Sequence, residues 1–429
     1  MPSSVLFEVK KDFAIRQLKD IRNSIRFPAL MDRTKYSTDW MTLMAVILSA
    51  RTKDSVTEEA TKRLFLKFSS LEKLAAGNIK DITSLIYPVN FYKNKAKKLL
   101  SLSQILIEKY EGKPPLDFKE LISLPGVGRK SANLYLSLKG KPSITVDTHV
   151  HRIANRIPWV DTNKPEDTEK VLKEIFPRDM WINVSKFLVP FGQQICRPRS
   201  PKCFLCPYSV RNSCLYRKCV GILREISQIK KDKKVAALVE KRIREFSRTF
   251  KSGERRWFVE ATFCILTANT SAKMGSRAID AIKEDMFEKD AKVLEKKLRA
   301  VGYRFPSSRA RYIVENRKFL GRLKRTIISF KDPYSRREWV VKNIKGLGYK
   351  ESSHFFRNVG YKDFAILDFH ILDYLRRKGV INPIRKGALS RKKYLQIEKI
   401  MNKISKWSNT DLSRLDLYLW YMETGEVLR

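Results

Sequence analysis

The sequence predicts an all-α fold in two tandem domains, and three observations carry that prediction. Apolar residues recur at three- and four-residue steps in DWMTLMAVILSA (39–50), KNKAKKLLSLSQILIEKY (93–110) and PEDTEKVLKEIF (165–176), the spacing of one face of a helix. Period-two alternation, the mark of a half-buried strand, is almost absent. The chain also repeats itself once. ILSART (47–52) returns as ILTANT (265–270), LPGVGRKSAN (124–133) as IKGLGYKESS (344–353), and VDTH (146–149) as LDFH (367–370). Three matches in the same order at nearly constant offset are more than chance supplies, and two homologous domains of similar length are the simplest reading.

Taken in chain order, the elements fit that plan. The N-terminal MPSSVLFEVKKDF lacks the apolar run of a signal peptide, and no stretch reaches the length of a membrane span. A cytoplasmic protein without a membrane partner is therefore expected. Pro165, followed by acidic residues, marks a helix start. After a cysteine-rich stretch, residues 219–251 carry apolar residues spaced as on amphipathic helices, interrupted by a charged KKDKK run. The domain boundary is placed there, giving 1–219 and 220–429.

At 429 residues the chain has room for two cores, and a hydrophobic fraction of 43% excludes disorder. Its formal charge of +43, from 88 Lys+Arg against 45 Asp+Glu, calls for a polyanionic partner. Nucleic acid is the commonest, because Lys and Arg displace condensed counterions from phosphates. Charge alone does not say which nucleic acid, or what is done to it.

The repeat singles out two turns. Gly126-Val127-Gly128 and Gly346-Leu347-Gly348 each precede a helix start, where outward-pointing N–H groups can bind a phosphate. Arg129, directly after the first turn, is a candidate DNA contact, and each turn is followed by a lysine, Lys130 or Lys350. Asp147 follows Lys130 and Asp368 follows Lys350 at nearly equal spacing. A lysine at a helix start among other cations is expected to have a depressed pKa, as a nucleophilic amine needs. A nearby carboxylate can orient it, relay protons and stabilise positive charge on a sugar. Solvated surface is the usual fate of one lysine in so basic a chain; recurrence in both halves argues otherwise.

Cys196, Cys203, Cys206 and Cys214 fall within nineteen residues. In a reducing compartment that clustering points to metal rather than disulfides. Four thiolates in one loop can hold zinc or a [4Fe–4S] cluster, and spacing leaves both open. Cys219 is a possible substitute for Cys214 as fourth ligand. Cys264, in FCIL, reads as a buried small hydrophobe.

LPGVGRKSAN followed by VDTHVHRIANRI resembles the helix-hairpin-helix and Asp signature of DNA glycosylases. With ILSARTKD, NFYKNKAKKL and the cysteine cluster, residues 1–218 resemble endonuclease III. FCILTANTSAK, IKGLGYKESSHFFRNVGYKDFAILDFHIL and LDLYLWYMETGEVLR make residues 220–429 similar to the archaeal second type of 8-oxoguanine DNA glycosylase/lyase. The resemblance implies double-stranded DNA with oxidised bases or abasic sites as partner, a monomer acting at the nucleoid, and two sites. Lys130 with Asp147 would remove oxidised pyrimidines, and Lys350 with Asp368 would remove 8-oxoguanine. It favours a [4Fe–4S] cluster on Cys196, Cys203, Cys206 and Cys214, although the last interval is two residues longer than the family's usual five. Arg197, Arg199, Lys202 and Arg211 would then face phosphate. Arg51, Phe91 and His149 fall where endonuclease III places gap-filling and strand-separating residues, with a core aromatic as the alternative for Phe91 and a helix-packing or phosphate-contacting residue for His149 and His370. The chain ends in Arg429 where the second family typically has a lysine that helps recognise the oxidised base. A rival reading makes one half a non-catalytic DNA clamp; others are a pure DNA-binding protein and an enzyme of RNA metabolism.

Overall fold

The computed structural model describes residues 11–26, 36–383 and 389–427. Among these the regular elements are all helical. The chain divides into two compact units, Met1–Arg217 and Lys218–Arg429, and the helix Leu215–Ile229 runs across the division. Arg429 lies outside the described residues.

The first unit holds two hydrophobic clusters. One gathers Leu43, Ile47, Leu64, Leu99 and Tyr135 from helices that include Asp39–Ser49, Tyr92–Tyr110 and Arg129–Leu138. The other gathers Leu18, Ile153, Trp159, Phe187 and Phe191 from helices that include Lys11–Ser24, Thr148–Arg156 and Trp181–Gln194. The lysine-bearing helix therefore belongs to one cluster and the aspartate-bearing helix to the other, joined by residues 139–147. Ser185 Oγ accepts from Thr145 N–H at 2.7 Å and ties that connection to the second cluster.

The second unit likewise places a lysine-bearing helix, Tyr349–Asn358, ahead of an aspartate-capped one, Phe369–Arg377. Its core includes Trp257, Ile265, Leu347, Phe355, Phe356 and Phe364, packed as tilted and edge-to-face aromatic pairs, an arrangement favoured by the ring quadrupole. Residues 364–367 lead into the helix Phe369–Arg377 and are held by Arg391–Trp407. Tyr394 Oη donates to Ala365 O at 2.7 Å, and Glu398 Oε1 accepts from Ala365 N–H at 3.1 Å. Glu398 is itself paired with Arg337 at 2.6 Å, both side chains being almost wholly buried. The 219–251 region forms the end of Leu215–Ile229 and the helix Lys233–Lys251, with Asp232 capping the latter. No described helix is long and apolar enough to cross a membrane.

Candidate active sites

Both Gly-x-Gly turns owe their shape to a left-handed first glycine. Gly126 has φ +84° and Gly346 φ +86°, a region that L side chains rarely adopt. Space for a side chain is also tight, more so at Gly346 than at Gly126. A Cβ on Gly126 would meet Lys98 at 3.3 Å and Ile47 at 3.4 Å; one on Gly346 would meet Tyr312 at 2.9 Å and Ile265 at 3.3 Å. Ile47 and Ile265 are counterparts in the repeat, so the two halves build the turn against the same neighbour. Gly346→Ala is expected to lower the second unit's stability by roughly 1–3 kcal/mol, and Gly126→Ala by less because its neighbours stand farther off. Thermal unfolding of the two variants checks the order.

The second glycine of each turn caps a helix, Gly128 for Arg129–Leu138 and Gly348 for Tyr349–Asn358. Each lysine thus occupies the second position of its helix, where free N–H groups and the helix dipole are concentrated. Lys130 is exposed. Lys350 is about one-third exposed and pairs with Glu351 at 3.2 Å, a carboxylate that the first half replaces by Ser131.

The aspartates are N-caps. Asp147 Oδ1 accepts from the N–H groups of His149 and Val150 at 2.8 and 2.9 Å; Asp368 Oδ1 accepts from Ile371 N–H at 2.9 Å. Each carboxylate is thereby fixed at a helix N-terminus. Burial raises the Asp368 pKa, opposed by that hydrogen bond and by the charges of Lys350, His370 and Arg357. The lysine and aspartate of the second half therefore lie within electrostatic reach of each other. Among the described residues Lys130 has no ion-pair partner.

Behind Asp368 lies a group that pattern reading missed. Asp416, fully buried on Leu412–Thr424, is bound by Arg357, and its pKa is pushed up to about 6 by burial, with the charge of Asp368 adding to the rise and Arg357 opposing it. Arg357 also reaches Asn358 Oδ1 at 3.1 Å. The signal in sequence was faint: an acidic residue inside the apolar LDLYLW run. His370 stacks edge-on against Trp420 at 4.9 Å.

The other predicted DNA-facing residues divide. Arg51 and Phe91 both have left-handed backbones, φ 56° and 59°, and Asn90 Nδ2 donates to Arg51 O, so the two lie side by side. Phe91 is 63% exposed, which excludes the core alternative. His149 is half-buried against Gly192, where a Cβ would come within 2.5 Å of its Nδ1, and Arg152 contacts the same nitrogen at 3.1 Å; it packs between helices. Arg129 is engaged in the protein. Its guanidinium binds buried Glu169 through two bonds of 2.7 and 3.0 Å and covers Phe118. Burial alone would raise Glu169, but the bonds from Arg129 and Lys173 outweigh it and hold the carboxyl below its usual range.

The four cysteines of 196–214 lie within electrostatic reach of one another. Cys206 is pushed up to about 12 by burial and then by Cys214, Cys196 and Cys203; Cys214 is pushed up to about 11 mainly by burial, with Cys196 and Cys203 adding to it. Arg156 contacts Cys196 Sγ at 3.5 Å and the carbonyls of Arg197 and Pro198 at 2.7 and 2.8 Å. Among the described residues no group of three His, Cys, Asp or Glu side chains is arranged to hold a metal ion. The donor chemistry nevertheless suits a soft, thiolate-bound group, since buried thiols that raise one another ionise when a metal cation neutralises them. Phe204 and Tyr208 stand exposed in this loop. Cys264 is fully buried in the second unit.

Comparison with known proteins follows the same division. Residues 44–178 match the HhH-GPD superfamily of base excision DNA repair proteins, and residues 239–410 match the 8-oxoguanine DNA glycosylase family. The chain is 43% identical over 197 residues to endonuclease III of Thermotoga maritima, covering 45% of this chain and 89% of that protein. It is 46% identical over 199 residues to the 8-oxoguanine DNA glycosylase/AP lyase of Korarchaeum cryptofilum, covering 46% of this chain and 94% of that protein. The crystal structure of Methanocaldococcus jannaschii 8-oxoguanine DNA glycosylase aligns with a TM-score of 0.48 at 42% identity, covering 50% of this chain and 99% of that one.

Proposed function

The chain belongs to the HhH-GPD superfamily of base excision DNA repair proteins, and from that premise we propose that it is a DNA glycosylase and abasic-site lyase with two active sites. The first, in 1–219, uses Lys130 and Asp147 on oxidised pyrimidines. The second, in 220–429, uses Lys350 and Asp368 on 8-oxoguanine. The observation that carries this reading is the recurrence, in both halves, of a left-handed glycine turn, a lysine at the second helical position and an aspartate capping another helix.

The chemistry follows from the groups. A damaged nucleotide leaves the stack at a cost of a few kcal/mol. The neutral lysine amine attacks C1′, the C1′–N bond breaks, and the base departs with the electron pair. The resulting ammonium gives one proton to the departing base; the C1′–O4′ bond then breaks, O4′ takes the electron pair and a proton from water, and a protonated Schiff base joins C1′ to the lysine. A proton is then lost from C2′ and the 3′ phosphate leaves, which nicks the strand. The aspartate stabilises positive charge at the sugar in the first step. The glycine turns take the backbone phosphates, and the +43 net charge supplies long-range attraction. The chain acts as a monomer at the nucleoid.

Asp368 must be ionised to act, and its burial raises its pKa. Activity of the second site should therefore fall as pH drops through a value above the ordinary carboxylate range, near 3.9. Single-turnover excision of 8-oxoguanine between pH 4 and 8 measures this limb. A limb at or below about 4 contradicts the assignment.

Cys196, Cys203, Cys206 and Cys214 hold a [4Fe–4S] cluster that ties down their loop. The influence of Cys214 on the Cys206 thiol supports Cys214 as the fourth ligand. Iron analysis should give about four irons per chain, and Cys206→Ser should lose them together with first-site activity. Zinc in place of iron overturns this assignment.

A further inference from the structure

The turn that follows the ILSART and ILTANT segments is built twice from the same backbone and clamped by different side chains. In the first unit Arg51 is left-handed at φ 56°; in the second its counterpart Asn269 is left-handed at φ 61°. Neither is a glycine, so each turn needs outside support to hold that conformation. Lys95, 8% exposed, donates to Leu48 O at 2.8 Å, Ala50 O at 2.7 Å and Thr52 Oγ1 at 3.3 Å. The bonds fall on both sides of Arg51. In the second unit Arg309 Nη2 donates to Ala268 O at 3.2 Å, and Tyr303 Oη donates to Leu266 O at 2.7 Å.

These acceptors are counterparts: Ala268 answers to Ala50 and Leu266 to Leu48. The donors are counterparts too, since FYKNKA (91–96) aligns with FPSSRA (305–310) and pairs Lys95 with Arg309. One half meets two carbonyls with a single ammonium; the other divides them between a guanidinium and a phenol. A buried ammonium is costly unless its donors are used, and burial pushes Lys95 down to about 8. That the cation persists in both units, at carbonyls flanking a left-handed residue, points to the turn as what it supports.

We propose that Lys95 and Arg309 are positioning residues that lock the turns carrying Arg51 and Asn269 in their left-handed conformation, and so set how each site engages the gap left by an extruded nucleotide. The first part stands on geometry alone; the second rests on the glycosylase reading above.

The two parts are tested separately on the full-length chain. Amide hydrogen exchange reads the turn. Lys95→Met should speed exchange at Thr52, whose N–H bonds Ser49 O at 3.1 Å, by about tenfold or more, leaving Ala132–Leu136 unchanged. Lys95→Arg, which installs the other half's cation, should restore protection. Arg309→Leu should act likewise on Thr270, so a Lys95→Met chain too unstable to purify leaves the claim open to test. Unchanged exchange at both turns overturns the proposal. For function, Lys95→Met should raise KM for a lesion-bearing duplex about tenfold with kcat nearly kept, and adding it to Arg51→Ala should cause no further loss. Additive losses overturn the link to the gap. Exchange decides the turn whether or not the chain cuts DNA, and a wild-type chain that forms no adduct defeats the glycosylase reading alone.

Discussion

Lys350→Ala is expected to abolish cutting at 8-oxoguanine, by on the order of 10³-fold or more, while processing of thymine glycol stays within about twofold. Lys130→Ala should give the mirror image. The reason is chemical: no other nucleophile can form the Schiff base once the amine is gone, and each lysine belongs to a different compact unit. Alanine is tolerable at these two positions because Lys130 is exposed and Lys350 is only partly covered. The aspartates need a gentler change. Asp147 and Asp368 cap helices, and removing a cap costs about 1 kcal/mol by itself. Asparagine keeps an acceptor oxygen for the cap and removes only the charge, so Asp147→Asn and Asp368→Asn separate catalysis from folding. Loss of both activities from a single lysine change would mean that one site serves both lesions, with the other half a DNA clamp.

The largest stability effect is expected from Glu398→Ala. Glu398 receives two hydrogen bonds from Arg337, at 2.6 and 2.7 Å, and one from Ala365 N–H at 3.1 Å. Arg337 lies 1% exposed, with its guanidinium over the Phe364 ring at 4.4 Å. Removing the carboxylate leaves a cation buried among aromatic rings. Breaking a buried pair in this way costs about 3–5 kcal/mol, or roughly 10 °C or more in the melting temperature of a unit this size. The loss extends toward the proposed site, because Glu398 fixes the segment that ends at Asp368. Arg337→Met with Glu398→Leu should recover much of the stability, since a matched apolar pair leaves no orphaned charge. Thermal unfolding of the single and double variants checks both statements. A single variant within about 1 kcal/mol of wild type would show that the pair holds little.

How much of this was legible in the sequence depended on whether the cause was local. The left-handed glycines, the helix starts at Gly128 and Gly348 and the capping aspartates obey short-range rules, and the internal repeat marked which of many lysines to weigh. Long-range partners leave no such trace. Arg129, adjacent to Lys130, reads as a phosphate contact, yet its bonds go to Glu169, which lies beyond the next helix in sequence. His149 packs against Gly192, a contact that local pattern does not encode. Phe91 is as apolar as any core residue, and only the left-handed backbone at the start of its helix turns it outward. Asp416 sits in an apolar helix whose partner, Arg357, comes from a distant segment. Lys95 and Arg309 were recoverable in principle, because the repeat extends through FYKNKA and FPSSRA, but the match is too weak to notice until the shared carbonyls are seen.

Two lysines acting on two lesions is the claim on which the rest depends. The most direct measurement is borohydride trapping of the wild-type chain on a thymine glycol duplex and, separately, on an 8-oxoguanine duplex, followed by peptide mapping of each adduct. The sugar remnant should be found on Lys130 in the first case and on Lys350 in the second. Both adducts on one lysine, or no adduct with either duplex, would contradict the account.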